Sequence, residues 1–143
     1  MTEASSEQLR DLVMSTSRAL RRKWFTALEP WELSPHEFRA LRVIGTESDG
    51  RPRLGDVAKA LRIAPRSATE VVDRLQKREL VERVSDGGDR RAVCVQLTDT
   101  GRKLIAEMSD ARDAQAADFF APLDADDRAQ LRRILGKLTA GDG

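Results

Sequence analysis

The hydrophobic and polar positions of the chain repeat with two different periods. Apolar residues recur every three to four positions over six segments, which is the spacing that buries one face of a helix. The first helix is predicted over about 6–28, and the second from 34 to a loop at 48–52. The third and fourth lie on either side of a turn at 62–64. The fifth is predicted over 98–120 and the sixth over about 124–140. Between the fourth and fifth helices apolar and polar residues alternate, as in strands. The pattern predicts a mainly α (α+β) chain with one small sheet.

Local signals mark where several of these helices begin and end. For the second helix, Ser34 is the expected N-cap, Pro35 stands at the first helical position, and Glu37 completes a capping box. The residue before a proline avoids helical backbone angles, so Pro30 is expected to end the first helix. Thr98 is expected to cap the fifth helix.

The third and fourth helices have the pattern of a helix-turn-helix. The third carries a short apolar face, and Pro65 opens the fourth, where its missing N–H is not needed. The predicted buried residues are Val57, Ala58 and Leu61 in the third helix and Ala68, Val71, Val72 and Leu75 in the fourth. A helix of about 13 residues is about 20 Å long, enough to lie in a DNA major groove about 12 Å wide. Such pairs place their second helix in that groove.

A β-hairpin is predicted directly after the helix pair. Val84 lies on one side, and Val93, Val95 and Leu97 alternate on the other. Residues 85–91 (SDGGDRR) are interpreted as a charged loop whose two glycines permit a tight tip. A hairpin in this position makes the unit a winged helix-turn-helix.

Polar residues along the fourth helix are the candidates for contact with DNA. Arg66 is suited to pair with a guanine edge. Glu70, one turn later, either accepts from cytosine N4 or only pairs with Arg66 or Arg74. An ordinary solvated helix face is the alternative for the whole set. The predicted contact residues are Pro65, Arg66, Ser67, Thr69, Glu70 and Arg74.

Two adjacent arginines, Arg90 and Arg91, stand in the predicted hairpin loop. Such side chains suit a finger that meets phosphates or enters a narrow minor groove, where the negative potential is strong. A charged hairpin tip without a partner is the alternative. The hairpin is therefore the second candidate surface for DNA.

Charge is distributed unevenly along the chain of 143 residues. The net charge is +1, but residues 51–91 hold eleven Lys/Arg and seven Asp/Glu, a net +4, while 1–50 carry −1 and 92–143 carry −2. The positive excess falls on the predicted winged unit and favours contact with phosphates. Taken alone, this excess is equally compatible with ordinary surface variation.

At these residues the chain resembles the MarR family of multiple-antibiotic-resistance regulators, and the resemblance extends over essentially the whole chain. The family's wing signature, Asp-x-Arg followed by an alternating strand and Leu-Thr-x-x-Gly, stands here at 89–91 and 97–101. The stretch LSPHEF at 33–38 also fits. The chain departs from the family at Glu79, where relatives carry Gly after the recognition helix. A non-Gly residue is disfavoured in a left-handed cap.

The resemblance implies roles for individual residues. Arg91 would enter the minor groove with Asp89 orienting it, while Arg90 meets phosphate. Relatives bind small aromatic or phenolic effectors where the dimer helices meet the winged unit. The residues expected to line such a pocket are Trp24, Trp31, His36 and Arg39. Core packing explains the tryptophans equally well, and an exposed first-turn position explains His36.

The first helix and the last two carry apolar faces yet lie outside the winged unit. Within one chain they pack only on one another, which leaves much of a long helix uncovered. The resemblance implies that two chains pair through their termini. We therefore expect one MarR-like domain over 1–143, with a winged core at about 33–98 and dimerisation helices at about 6–28 and 98–140. A two-fold dimer would set its recognition helices about 34 Å apart and prefer a pseudo-palindromic operator.

Composition narrows the class of protein further. No apolar run approaches the roughly 18 residues needed to span a bilayer, and the acidic start lacks the basic region of a signal peptide. A cytoplasmic protein without a membrane partner is expected. The single cysteine, Cys94, cannot form an internal disulfide and is expected to pack within its strand. No metal or other cofactor is expected from one His and one Cys.

Three function classes follow from these patterns. The favoured class is a homodimeric, sequence-specific DNA-binding regulator, by resemblance most often a repressor. The second is a winged helix that serves as a protein-interaction module, because acidic Glu70, Asp73 and Glu79 on or beside the recognition helix repel phosphate. An enzyme is disfavoured, since no paired nucleophile and base and no glycine-rich phosphate loop is present in the sequence.

Overall fold

The computed structural model describes residues 2–86 and 88–141. For residues 89–91 it describes the backbone and not the side chains. Within this part of the chain, six α-helices and one two-stranded sheet follow in the order predicted from periodicity. The elements are α1 (Ser6–Leu28), α2 (Pro35–Thr46), α3 (Leu54–Leu61), α4 (Pro65–Lys77), β1 (Val81–Asp86), β2 (Asp89–Leu97), α5 (Asp99–Phe120) and α6 (Ala125–Thr139). The mainly α winged-helix architecture is confirmed.

Side-chain caps start α2 and α5 where the sequence predicts. The hydroxyl of Ser34 accepts from the N–H of Glu37 at 3.1 Å, and the Glu37 carboxylate accepts from the N–H of Ser34 at 3.4 Å. At α5 the hydroxyl of Thr98 accepts from the N–H of Gly101 at 3.0 Å. Each cap satisfies a backbone donor that the first turn leaves without an intrahelical acceptor. The predicted end of α1 is confirmed as well, since Pro30 lies in a short 3₁₀ turn that follows Leu28.

The hairpin of β1 and β2 is longer than predicted. Val81 pairs with Leu97 at its base, and Asp86 pairs with Asp89 at its tip across a register irregularity. The expectation of a loop over all of 85–91 is therefore wrong, because β1 runs to Asp86 and β2 begins at Asp89. The composition is typical of a loop, but a hairpin that extends past the core exposes both faces near its tip. Polar side chains are tolerated in such strands.

Burial along β2 departs from the expected alternation. Val95 is buried as predicted, but Val93 is 41% exposed, because it pairs near the tip beyond the core. Cys94 is only 8% exposed, which confirms that it packs within the fold. It is covered because the segment before α3 runs along β2. Arg53 forms an antiparallel bridge with Cys94, and the N–H of Val95 donates to the carbonyl of Pro52 at 2.9 Å.

The core lies where α2, α3, α4 and the sheet meet. The predicted buried faces of α3 and α4 are all buried, whereas Val43 of α2 is half-buried. The buried cluster consists of Leu28, Leu33, Phe38, Ala40, Leu41, Ile44, Val57, Leu61, Val71, Val72, Leu75, Leu80, Val81, Val95, Leu97 and Met108. The winged unit therefore holds most of this core, to which α1 contributes Leu28 and α5 contributes Met108.

The terminal helices bury little within one chain. Leu28 is the only buried residue of α1, and none is buried in α6. Large apolar side chains on these two helices are between 43% and 67% exposed: Leu9, Leu12, Val13, Met14, Phe25, Ile134, Leu135 and Leu138. Nowhere in the described residues is a helix long and apolar enough to cross a membrane.

Candidate nucleic-acid interface

The recognition helix α4 is fixed by its buried face and by the turn that ends it. The N–H of Leu80 donates to the carbonyl of Leu75 at 3.0 Å, and the N–H of Glu79 donates to that of Gln76 at 2.9 Å. These two bonds form a Schellman motif, which satisfies carbonyls at the helix end. The opposite end of α4 has no side-chain cap. Its first-turn N–H groups therefore remain available to an outside acceptor.

The polar face of α4 presents the charged residues predicted to contact DNA. The side chain of Arg66 is 92% exposed and that of Glu70 is 59% exposed, with 3.8 Å between Arg66 Nε and Glu70 Oε1. This separation is longer than a hydrogen bond, and an exposed pair of this kind contributes little. The contact therefore does not hold Arg66 back from another acceptor. Arg74, two turns further along, is exposed as well.

The smaller polar residues of the first turn are less exposed. Ser67 and Thr69 are half-buried, and Pro65 is exposed at the helix start. The hydroxyl of Thr69 donates to the carbonyl of Pro65 at 3.1 Å. The hydroxyl oxygen of Thr69 keeps an acceptor site, while its proton is used within the helix.

A second charged group links α4 to the wing. Nη2 of Arg83, on β1, lies 2.5 Å from Oδ1 of Asp73, and Nη1 donates to the amide oxygen of Gln76. The negative charge of Asp73 is thereby paired. Sequence reasoning missed Arg83. The available signal was its parity with buried Val81, which places both side chains on the helix side of the strand.

Asp89, Arg90 and Arg91, the residues predicted to contact DNA from the wing, lie on β2 just after the hairpin tip. The backbone of Asp89, Arg90 and Arg91 belongs to β2, and Asp89 pairs with Asp86. Their side chains lie outside the described part of the structure. The DNA contacts expected of these three residues therefore stay predictions.

Asp86, at the end of β1, is hydrogen-bonded through both carboxylate oxygens. Oδ1 accepts from the N–H of Gly88 at 3.2 Å, and Oδ2 accepts from Nε of Arg53 at 3.1 Å and from Nη2 of the same residue. The Gly88 N–H, followed by the Arg53 guanidinium, holds the pKa of Asp86 below its ordinary value. Sequence reasoning missed this pair, because 33 positions separate the two residues and no local period relates them.

The Leu-Thr-x-x-Gly signature gathers around the turn that follows α4. The N–H of Thr98 donates to the carbonyl of Leu80 at 3.0 Å, and its hydroxyl donates to the carbonyl of Glu79 at 2.7 Å. A Cβ on Gly101 would lie 2.1 Å from the carbonyl oxygen of Leu80, so glycine is needed where α5 approaches the turn. Glu79 has a φ of 60°, so this non-Gly residue adopts the left-handed conformation that is disfavoured for it.

The four residues predicted to line an effector pocket lie in different surroundings. Trp31 lines a groove of about 790 Å³ between α1 and α5, and Trp24 lines another of about 370 Å³. His36 and Arg39 are exposed and line neither groove. The structure therefore does not bring the four together.

The Trp31 groove combines aromatic and basic lining. Arg22, Lys23 and Gln115 line it together with Trp31. The side-chain nitrogen of Gln115 is buried without a hydrogen-bond partner. Buried polar groups are normally hydrogen-bonded, and Gln115 lines both this groove and the Trp24 groove.

The exposed functional side chains are those of a binding surface. Within the described residues, no group of three or more His, Cys, Asp or Glu side chains is arranged to hold a metal ion. A helix-turn-helix with an exposed recognition helix, followed by a two-stranded wing, defines the winged helix-turn-helix class of DNA-binding proteins.

Comparison with known proteins identifies the family within that class. The MarR family profile matches residues 31–92. The HTH-type transcriptional regulator YhbI of Bacillus subtilis is 31% identical over 144 residues, which cover 97% of this chain and 92% of that protein. The chain belongs to the MarR family of DNA-binding transcriptional regulators. It is accordingly a regulator and not an enzyme.

Other relatives and solved structures agree with this assignment. The HTH-type transcriptional repressor MdtR of Bacillus subtilis is 25% identical over 138 residues, covering 94% of this chain and 88% of that protein. The crystal structure of RV1404 from Mycobacterium tuberculosis has a TM-score of 0.86 at 24% identity, covering 100% of this chain and 98% of that chain. A mutant of MarR from E. coli, solved in complex with operator DNA, has a TM-score of 0.72 at 24% identity, covering 91% and 92%. The two solved structures share the fold of this chain.

Proposed function

We propose that this regulator is a homodimer that binds a pseudo-palindromic operator and represses the adjacent genes. The observation that carries the proposal is the placement of α4. Its apolar face is buried in the winged core, while Arg66 in its first turn is 92% exposed. A helix held in this way presents its N-terminal side chains to a major groove.

The first two turns of α4 supply the base contacts in this proposal. Arg66 donates to a guanine edge, since a guanidinium matches the O6 and N7 acceptors of guanine. Glu70 accepts from cytosine N4 or orients Arg66 across the 3.8 Å contact between them. The other proposed contact residues on this helix are Pro65, Ser67, Thr69 and Arg74.

The wing supplies the second set of contacts. The family resemblance implies that Arg91 enters the minor groove with Asp89 orienting it, and that Arg90 meets phosphate. The length of the hairpin supports this role. β2 spans nine residues, about 30 Å at 3.3 Å per residue, and the part of it before buried Cys94 extends past the core.

The terminal helices form the proposed dimer scaffold. Their exposed apolar side chains, such as Leu12 at 63% and Leu138 at 67%, form faces that a soluble monomer rarely leaves open. The proposed division is a winged core at about 33–98 and dimerisation helices at about 6–28 and 98–140. Two-fold symmetry would then set the α4 helices about 34 Å apart, one turn of DNA. MdtR is a repressor, and this supports repression as the mode of action.

We also propose that a small aromatic ligand regulates DNA binding from the Trp31 groove. The carbonyls of Trp31 and Glu32 accept from the guanidinium of Arg78 at 2.7 and 3.0 Å, and Arg78 ends the recognition helix. A ligand that packs on Trp31 beside Arg22 and Lys23 would act on α4 through this contact. Such a ligand shifts the equilibrium between the DNA-binding and the non-binding arrangement of the protein only as far as it binds one of them more tightly than the other.

The alternative, a protein-interaction module, depends on the acidic residues near α4. Asp73 is paired with Arg83 at 2.5 Å, and Glu70 lies 3.8 Å from Arg66. A carboxylate beside a guanidinium repels phosphate less than an unpaired one does. The pairing of Asp73 therefore favours DNA over a basic protein partner, while Glu79, the third acidic residue of this alternative, is exposed beside the helix.

An anisotropy titration tests the proposal. The labelled duplex carries the DNA that flanks the gene, and a shuffled duplex of equal length is the control. We expect tighter binding to the flanking DNA, and an affinity that falls with salt by a log–log slope of about −0.9 per phosphate contacted. If neither duplex binds at low salt, the proposal is contradicted and a protein partner is favoured.

A further inference from the structure

A carboxylate sits at the tip of the hairpin that is proposed to contact DNA. Asp86 ends β1, and its carboxylate joins the hairpin turn to the segment before α3. Oδ1 accepts from the N–H of Gly88 in the turn, and Oδ2 accepts from the guanidinium of Arg53 ahead of α3. Near a polyanion, a lone carboxylate weakens binding. The bonds of Asp86 indicate a different role.

We propose that Asp86 positions the wing, holding its tip to the helix-turn-helix unit through Arg53, so that loss of this acidic group weakens binding to DNA. The inference rests on the proposed function, since it requires that the wing contacts DNA. Asp86 is a positioning residue here and touches no base or phosphate itself.

The anchor on the helix side is fixed by its own backbone. Arg53 bridges to Cys94 of β2, and its N–H donates to the carboxylate of Asp56 at 3.1 Å. The next residue begins α3, the first helix of the helix-turn-helix. The Arg53 side chain therefore extends from a segment that is bonded to both the sheet and α3. Its bond to Asp86 fixes the wing tip relative to the helix-turn-helix unit.

The anchored position on the wing lies beyond the core. Arg83 ties the base of β1 to α4 through Asp73, and Asp86 stands three residues further toward the tip. Val93, which pairs with the residue before Asp86, is 41% exposed. Apolar packing therefore fixes the wing at its base, while the Arg53–Asp86 bridge fixes it near its tip. The lowered pKa of Asp86 agrees with a carboxylate that stays charged in this bridge.

Positioning and simple electrostatics predict opposite signs for one substitution. Asp86→Asn removes a negative charge, so electrostatics alone predicts tighter binding to DNA. The same holds if Asp86 merely keeps Arg53 away from a phosphate. Positioning predicts weaker binding, because the amide lacks the charge that holds the guanidinium.

The test is a double-mutant cycle on the full-length protein with Asp86→Asn and Arg91→Ala, read as affinity for the flanking duplex by anisotropy. We expect Asp86→Asn to weaken binding about fivefold to tenfold in the native background and less than about twofold in the Arg91→Ala background, since coupled positions are not additive. Asp99→Asn is the matched control, because Asp99 also pairs with an arginine, Arg102, but lies on α5. It should leave the affinity unchanged.

A second variant guards against misfolding, with thermal unfolding measured for every protein. Arg53→Gln breaks the same bridge from the other side and should also lose its effect in the Arg91→Ala background. If Arg91→Ala alone binds like the native protein, both the proposed wing contact and this inference are overturned. If Arg91→Ala weakens binding while Asp86→Asn leaves it unchanged or tightens it, this inference alone is overturned.

Discussion

The hydroxyl of Thr98 donates to the carbonyl of Glu79 at 2.7 Å, which joins the start of α5 to the turn that ends the recognition helix. The N–H of Thr98 donates to the next carbonyl, that of Leu80, at 3.0 Å. Two bonds from one residue hold the end of α4 against the long helix of the proposed dimer scaffold. The orientation of the recognition helix therefore depends on where α5 lies.

Gly101→Ala should destabilise the fold. The added Cβ would lie 2.1 Å from the Leu80 carbonyl oxygen, a backbone atom that no rotamer change can move, so α5 must move away from the turn. We expect the free energy of unfolding in urea to fall by about 3 kcal/mol. Gly55→Ala is the control, since a Cβ there meets nothing within 4 Å, and it should raise stability by about 0.5 kcal/mol or more. Equal effects of the two substitutions would contradict the close approach of α5.

Glu79→Gly should stabilise the protein. Glu79 holds a φ of 60°, a conformation that costs a non-glycine residue about 1 kcal/mol or more, while glycine adopts it freely. We expect a gain of about 1 kcal/mol in the free energy of unfolding. Lys77→Gly, in the last turn of α4, should instead lose about 1 kcal/mol. A loss of stability in Glu79→Gly would show that the glutamate side chain makes a compensating contact.

Arg66→Ala and Arg91→Ala should differ in what they do to DNA binding. Arg66→Ala should weaken binding by about 1–3 kcal/mol and relax preference at one or two base pairs. Arg91→Ala should weaken binding with little change in site preference, because a minor-groove contact reads mainly groove width. Titrations against a set of single-base operator variants measure both effects. Equal losses that ignore sequence would count against base reading by Arg66.

Leu12→Glu should separate the proposed dimer. Leu12 is 63% exposed in the single chain, and a carboxylate buried there without a partner opposes association. We expect a shift from dimer to monomer in sedimentation velocity. Val93→Glu is the matched control, since Val93 is 41% exposed but lies on the wing. If Leu12→Glu sediments as the native protein does, the scaffold proposed for α1 is contradicted.

The Asp86 bridge should be insensitive to pH over the neutral range. The folded state lowers the pKa of Asp86 below its ordinary value of 3.8, so the stability that it contributes is present above that value. That contribution is lost as the pH falls through the lower folded-state pKa. The difference in unfolding free energy between the native protein and Asp86→Asn should stay constant from about pH 8 to about pH 5 and shrink below about pH 4. A difference that changes around pH 6–7 would point to another group.

Local sequence signals predicted most of the fold. Ser34, Pro35 and Glu37 cap α2 as their spacing predicts, because each bond spans only three residues. The faces of α3 and α4 were predictable for the same reason, since helical periodicity decides which side is buried. The family pattern singled out Glu79 as a departure from Gly, but it did not decide whether the turn would stay left-handed.

Features that depend on distant parts of the chain were not predictable. The 85–91 segment has the composition of a loop, but pairing with the opposite strand draws most of it into the hairpin. Arg53 and Asp86 meet only because the hairpin folds back over the start of α3. Trp24 and Trp31 flank the same break between helices in the sequence, yet they line separate grooves once α1 packs on α5. Tertiary packing, rather than local propensity, decides each of these.

A DNase footprint on the DNA that flanks the gene shows whether the protein reads an operator as a two-fold dimer. We expect two protected half-sites of related, inverted sequence, with centres about 10 base pairs or one helical turn apart. Protection of a single, asymmetric half-site would contradict binding of the DNA by a two-fold dimer. An absence of protection at low salt would contradict sequence-specific binding altogether.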